Sequence, residues 1–408
     1  MGLDYDVLII GGGMVGTSLA RAVSGQGLKI GVIEAVPFLA QNQPSYDDRV
    51  LALSWGTRLI LQGMGLWSQL LTEVEPIHEI HISDRGHFGF TRLSSRKEGV
   101  EALGYVVTAR SLGRVLVEGL ADTSDIDLIC PASLEGIIQE PAHLLLEVER
   151  GGVLERLSCR LLVAADGGDS KVAQLLALPS RESVYGQTAL IANVTPERPH
   201  QGKAYERFTD SGPLAMLPMD GGRCSMVWTA RDEQVSELLA LDDESFLCRL
   251  QARFGYRLGR LLKVGQRQAY PLKLKRVKEL VRPRIALVGN AAHTLHPVTG
   301  QGFNLGLRDV AALAEILADS AHAQSDPGSG ENLQRYTQWR LGDQNRVTYI
   351  TDSLARLFAN PFVPLRLARN LGLLGLDLTP GLKHLVARQF MGLNGRSPRL
   401  ARGVPLVR

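Results

Sequence analysis

Residues 284–309 read RIALVGNAAHTLHPVTGQGFNLGLRD, and the order of features within them sets the fold. An apolar, strand-like run from Ile285 to Val288 ends in the pair Gly289-Asn290. A loop carrying Pro297 and Gly300 follows, and a helix-like segment opens near Gly302 and Asn304. A short buried strand that breaks into glycines and restarts as a helix is how α/β folds aim backbone N–H groups at a ligand. Core packing alone does not require that order.

The N-terminus supplies a matching half. Asp6 to Ile10 (DVLII) is too short and too β-branched for a helix and reads as a buried parallel strand. It runs into Gly11, Gly13 and Gly16, a G-x-G-x-x-G, and then into an amphipathic helix from about Met14 to Gly25. A second strand, Lys29 to Ile33, delivers Glu34, 18 positions beyond the last glycine. About 20 is the spacing expected of a carboxylate that binds a ribose hydroxyl. Strand, glycines, helix and acid together predict a dinucleotide site, which a lone glycine motif would not. A third apolar run, Leu161 to Ala165, ends in Asp166-Gly167-Gly168-Asp169-Ser170, which by itself reads as a β-turn.

Taken in this order and spacing, the three motifs resemble those of the FAD-dependent aromatic hydroxylases, flavoprotein monooxygenases related to 4-hydroxybenzoate hydroxylase. The resemblance implies an α/β fold. A Rossmann-like FAD-binding domain would interleave with an antiparallel-sheet substrate domain, and a C-terminal helical segment would follow. It also implies roles. Gly11, Gly13, Gly16 and Glu34 would hold the ADP part of FAD. Asp166 would lie beside the flavin and a passing nicotinamide cofactor. Gly289, Asn290, Pro297, Gly300, Gly302 and Asn304 would hold the ribityl chain and pyrophosphate. Arg49, in DDRVLALSWGT, and Arg110 match further positions near the cofactor.

The segments GNAAHTLHPVTGQGFNLGLRD, AYERFTDSGPLAMLPM and RNLGLLGLDLTPGLKHLVARQFMGL are similar to the ubiquinone-making branch, on the side of the 2-polyprenyl-6-methoxyphenol hydroxylases. Two departures stand out: Asn290 replaces the usual Asp of the third motif, and no Arg closes the second, where Ala173 follows Val172. The asparagine also occurs in the methoxyphenol branch.

The reaction implied is hydroxylation of a polyprenylated methoxyphenol by O2, with NADPH or NADH as reductant. Its chemistry would lie at flavin C4a, with no side chain assigned as catalytic. A second full G-x-G-x-x-G is absent from the sequence, which fits a reductant that docks transiently. A sister hydroxylase acting at another ring carbon, and a flavin-stabilised scaffold among other ubiquinone-synthesis proteins, are the alternatives. No H-E-x-x-H, paired C-x-x-C or G-x-S-x-G occurs, so zinc hydrolysis and serine catalysis lack their motifs. His293 and His296 flank a loop without a third ligand and are assigned a structural role, with no metal. His78 and His81 alternate with Ile77, Ile80 and Ile82 and read as the solvated side of a strand.

The domains expected are FAD-binding residues 1–75, 100–178 and 276–335, a substrate sheet from 76–99 and 179–275, and a basic helical segment over 336–408. Thr188–Val194, Lys203–Phe208, Leu214–Leu217 and Arg223–Thr229 read as successive antiparallel strands, and Asp242–Phe254 as a capped helix. Residues 322–331 read as a surface loop. The 408 residues are 45% apolar and 21% charged, ample for two domains. Four scattered cysteines and a strand at the very start point to a cytoplasmic protein without a cleaved leader.

The net charge of +3 conceals an asymmetry: from Ser353 onward there are nine Lys and Arg against one acid, Asp377. Among them lie Leu354, Leu357, Phe358, Phe362, Leu365, Leu367, Leu371, Leu373, Leu374 and Leu376. Such a segment suits peripheral contact with the anionic inner face of a membrane, each basic residue contributing about 1 kcal/mol near the surface. Packing against the substrate domain is the other reading of the leucines. No nucleic-acid module accompanies the charge, so nucleic acid is not an expected partner.

Overall fold

The computed structural model describes residues 2–38, 49–294, 300–359 and 363–406. Pro297 and His296 lie outside the described residues, as do Phe362 and the side chains of Phe358, Leu365 and Leu367.

Tyr5–Ile10 is the central strand of the first sheet, and Val7, Leu8 and Ile9 are fully buried, as a strand covered on both faces requires. Each such side chain contributes roughly 1.5–3 kcal/mol by leaving water. Ile30–Ile33 and Ile126–Ile129 extend the sheet in parallel on one side, Val153–Ala164 and Ile285–Leu287 on the other. The first half of Val153–Ala164 also pairs antiparallel with Leu144–Arg150, which pairs with Ser133–Gln139. Helices Met14–Val23 and Gln301–His322 pack together beside this sheet. Gly306 permits the approach: a Cβ there would lie 3.2 Å from Val15 and 3.1 Å from the Gly289 Cα.

The second sheet has the strand order 90–94, 79–84, 203–209, 212–218, 224–231, 180–196, 268–277, 293–294. Four of its strands cover those expected to succeed one another, but their pairing differs from a simple meander. Ser180–Pro196 pairs with Cys224–Arg231, and Lys203–Thr209 pairs in parallel with Glu79–Asp84. The early segment 79–94 therefore forms one edge of this sheet, within the 76–99 assigned to it from the sequence. The helix Asp243–Phe254 is capped by Asp242, whose carboxylate accepts from the Ser245 N–H at 2.7 Å. Phe246, Leu250 and Phe254 bury against the outer face of this sheet.

Helix Gly330–Ala359 runs straight across the boundary drawn at 335/336. Its first turns belong with the first sheet, because buried Tyr336 donates from its hydroxyl to the Leu287 carbonyl at 2.8 Å. The loop 322–331 is also more than surface: Pro327 and Gly328 are buried, and a Cβ on Gly328 would lie 2.1 Å from the Arg160 carbonyl. Helices Val363–Leu378 and Pro380–Phe390 follow, and Leu400, Ala401 and Leu406 then return to the core beside the first sheet. Among the described residues, no helix is long and apolar enough to cross a membrane.

Candidate active site

The carboxyl ends of three parallel strands feed the three motif loops, the place where open α/β sheets bind ligands. Ile10 leads to Gly11, Ala164 to Asp166, and Leu287 to Gly289. These loops touch. A Cβ on Gly11, whose φ is +99°, would sit 2.6 Å from the Ala165 carbonyl; one on Gly168 would sit 2.9 Å from Thr294 Oγ1. Gly16 lies against Gly11 itself, where a Cβ would be 1.9 Å from its carbonyl oxygen. Sequence separations of more than 100 residues therefore collapse into one rim.

A cavity of about 1510 Å³ opens on this rim. Single-ligand pockets run to about 1,000 Å³, so it has room for more than one molecule. Gly11, Gly13, Glu34, Arg49, Asp166, Asn290, Gly300, Gly302 and Asn304 all line it. Glu34 turns its carboxylate toward the first glycine loop, accepting from the N–H of Gly12 at 2.6 Å and of Val36 at 2.8 Å. Arg49 places its guanidinium over the Tyr270 ring, 5.0 Å from the centroid. Gly300 takes φ +59° and caps helix Gln301–His322, whose N-terminus opens on the cavity at Gln301 and Gly302. The opposite wall is apolar, formed by Ile80, Ile82, Ala215, Leu217, Val227 and their neighbours on the second sheet.

A dinucleotide fits the residues present. Asp166 Oδ1 is buried with no partner, although Oδ2 accepts from the Val172 N–H at 3.2 Å; burial raises the pKa of this carboxyl. An orphaned acceptor beside a helix N-terminus and open glycines is what a polyhydroxylated, pyrophosphate-bearing ligand would complete. A Cβ on Gly302 would meet nothing within 4 Å, so the cradle is open at that point.

Comparison with known proteins agrees. The family described as FAD binding domain matches residues 4–349. A ubiquinone hydroxylase, UbiL, of Rhodospirillum rubrum is 39% identical over 404 residues, covering 98% of this chain and 93% of that protein. The 3-demethoxyubiquinol 3-hydroxylase of Escherichia coli is 30% identical over 394 residues, covering 95% and 98%. Among solved structures, p-nitrophenol 4-monooxygenase PnpA from Pseudomonas putida superposes with a TM-score of 0.79 over 97% of this chain and 100% of that one, at 18% identity. The chain belongs to the FAD-dependent aromatic hydroxylases of ubiquinone biosynthesis. It is a flavoprotein monooxygenase with a Rossmann-like FAD domain and a sheet-built substrate domain.

Four positions in this hydroxylase differ from expectation. Gly16 and Gly289 are buried and do not line the cavity: Gly16 packs on Gly11, and Gly289 packs on Val15 with its N–H given to Asp309. The other two are Asn304 and Arg110. Asn304 lines the cavity, yet its amide is fully engaged with protein. Oδ1 accepts from the Ser54 N–H at 2.8 Å and Thr57 Oγ1 at 2.7 Å; Nδ2 donates to the carbonyls of Ala52 at 2.8 Å and Gly300 at 2.9 Å. It clamps strand Val50–Ser54 to the helix start and has no donor left for a cofactor. Arg110 is exposed on the first turn of helix Ala109–Val117 and is not among the residues lining the cavity; Ala109 takes that place.

The histidines divide. His293 is buried and its Nε2 lies 2.7 Å from Asp309 Oδ2, a structural role. Asp309, the last residue of the opening stretch, also receives Arg340 Nε at 2.7 Å, Gln344 Nε2 at 2.9 Å and the Gly289 N–H at 3.2 Å. Burial would raise its pKa, but Arg340 and His293 outweigh that and hold it below the usual carboxylate range. This hub fixes the third motif from beneath; its partners lie 31 and 35 residues on, beyond any local motif. His78 is exposed, as the reading of a solvated face expects, but His81 is not. It is buried, its ring 5.9 Å from both Phe90 and Tyr205, and burial pushes its pKa down to about 4. On strand Glu79–Asp84, Ile80 and Ile82 face the cavity, while the His81 ring packs with Phe90 and Tyr205 of the two neighbouring strands.

Proposed function

We propose that this flavoprotein hydroxylates the ring of a polyprenylated methoxyphenol in ubiquinone synthesis, with NADPH or NADH as transient reductant. One observation carries the reading: a single cavity joins a glycine-lined, polar floor to an apolar roof. Gly11 and Gly13, at the start of helix Met14–Val23, would take the pyrophosphate, with Gly16 allowing the helix to pack close behind them, and Glu34 would take a ribose hydroxyl. Asp166 and Asn290 would bond the middle of the cofactor. When bound, FAD supplies the redox chemistry that activates O2 for insertion into the ring. The chain supplies binding, orientation and dryness. The N-terminus of helix Gln301–His322 presents its positive end to the cavity, stabilising nearby negative charge by about 0.3–2 kcal/mol.

The tail of the substrate has a path among the C-terminal helices. Leu373, Leu376, Val386 and Phe390 face the cavity, whereas Leu371, Leu378, Leu382 and Leu385 are exposed on the same two helices. Helices apolar on both sides, in a segment of strongly positive charge, support peripheral contact of 353–408 with an anionic bilayer. The charge is partly internal: Arg369 bonds Asp84 at 3.2 Å, Lys383 bonds Asp377 at 2.7 Å, and Arg399 bonds Asp319 at 2.8 Å. The leucines therefore carry more of the proposed contact than the total charge suggests.

The test combines purified FAD-loaded protein, NADPH, O2 and a polyprenyl methoxyphenol, with the product identified by mass. A gain of one oxygen on the ring is expected. Reductant consumption without oxygenated product would overturn the assignment.

A further inference from the structure

The cavity face of the second sheet is assembled from rows of side chains in register. One row crosses five strands as Ile82, Glu206, Ala215, Val227 and Ile191, and every member lines the cavity. Four are apolar and the fifth is a carboxyl. Tyr205 pairs with His81 on one side and with Met216 on the other, and these side chains lie among buried residues.

Glu206 Oε1 is buried with no hydrogen-bond partner. The residue as a whole keeps partial accessibility, and the space it reaches is the cavity. Burial is the one influence on its ionisation, pushing the pKa up to about 8. Arg49, Asp166, Glu135 and the other charged residues of the cavity belong to the cofactor motifs, the segments beside them or the first sheet, whereas Glu206 sits in the apolar roof. An unpartnered buried carboxyl costs stability that an alanine or leucine would not. Its place is explained if a ligand completes it.

We propose that Glu206 hydrogen-bonds the phenolic hydroxyl of the bound ring and so fixes which ring carbon faces the flavin. The inference rests on the hydroxylase reading above and assigns it a substrate contact. At neutral pH the carboxyl is mostly protonated and offers one O–H donor and one acceptor oxygen, the complement of a phenol hydroxyl. The rest of the row supplies only apolar contact, which holds a ring without orienting it.

FAD-loaded wild type, Glu206→Leu and Glu206→Gln are titrated with a short-prenyl methoxyphenol and with its O-methyl ether, following the flavin spectrum. For the phenol, Glu206→Leu weakens binding about tenfold or more, while Glu206→Gln, still donor and acceptor, stays within about threefold. For the ether, which has no hydroxyl, Glu206→Leu stays within about threefold of wild type. Equal phenol affinity in wild type and Glu206→Leu overturns the proposal, as does equal loss for phenol and ether. Failure of the wild type to bind FAD, visible before any phenol is added, would sink the hydroxylase reading instead.

Discussion

Two buried carboxyls, Asp309 and Glu206, mark the difference between the floor of the cavity and its roof. Asp309 has partners on both oxygens and a lowered pKa; Glu206 has an orphaned oxygen and a pKa raised to about 8. Both are acids withdrawn from water, so burial alone does not separate them. Partners do. Where the fold supplies cations and amides, a buried charge becomes a rigid strut; where it supplies none, the group is left for a ligand.

The sharpest way to break this contrast is to remove the strut. Asp309→Ala takes from buried Arg340 one of its two carboxylate partners, leaving Asp343, and strips His293 and Gln344 of theirs; it should cost about 3–5 kcal/mol, read by urea unfolding of the purified protein. A loss below 1 kcal/mol would mean the network is ornamental. On the floor, Gly13→Val should abolish flavin retention while the far-ultraviolet spectrum stays native, since a branched side chain would enter the cavity at the helix start. A mutant that still purifies yellow would remove the pyrophosphate from that loop. Asn304→Ala should cost about 1–3 kcal/mol, as buried groups on two elements lose their partner. If it abolished FAD binding without a stability loss, the clamp would be a cofactor contact after all.

On the roof the expected effect is smaller and depends on pH. Between the ordinary 4.5 and about 8, folded Glu206 holds a proton that the unfolded chain has released. The folded state binds more protons in that window, so wild-type stability falls as pH rises through it. Glu206→Gln does not titrate, and its melting temperature should pull ahead of wild type by a few degrees from pH 5 to pH 8.5. A gap that stays constant with pH would show the carboxyl to be solvated or paired.

The same contrast governs what could be read from the sequence. The floor was legible because its physics is local: Gly11, Gly13 and Gly16 sit between a strand and a helix, and Glu34 ends the next strand. Asp309 falls within the third motif, but its role as a hub is not legible there, because Arg340 and Gln344 lie on another helix. Asn304 was read as a cofactor contact for a related reason, since Ser54 and Thr57 come to it from some 250 residues away. The roof was harder. Alternation in strand 79–84 places His81 outside, but Tyr205, from a paired strand more than 100 residues on, packs against its ring there. Glu206 sat inside the quoted AYERFTDSGPLAMLPM, and only the cross-strand register shows that it faces the cavity.

The most direct test of the account is whether floor and roof serve one cavity. FAD-loaded protein titrated with a prenylated methoxyphenol, in the absence of reductant, should show a saturable perturbation of the flavin absorption bands, because the ring enters beside the cofactor. Binding of the phenol, detected by calorimetry, with no change in the flavin spectrum would place the two ligands apart and contradict it.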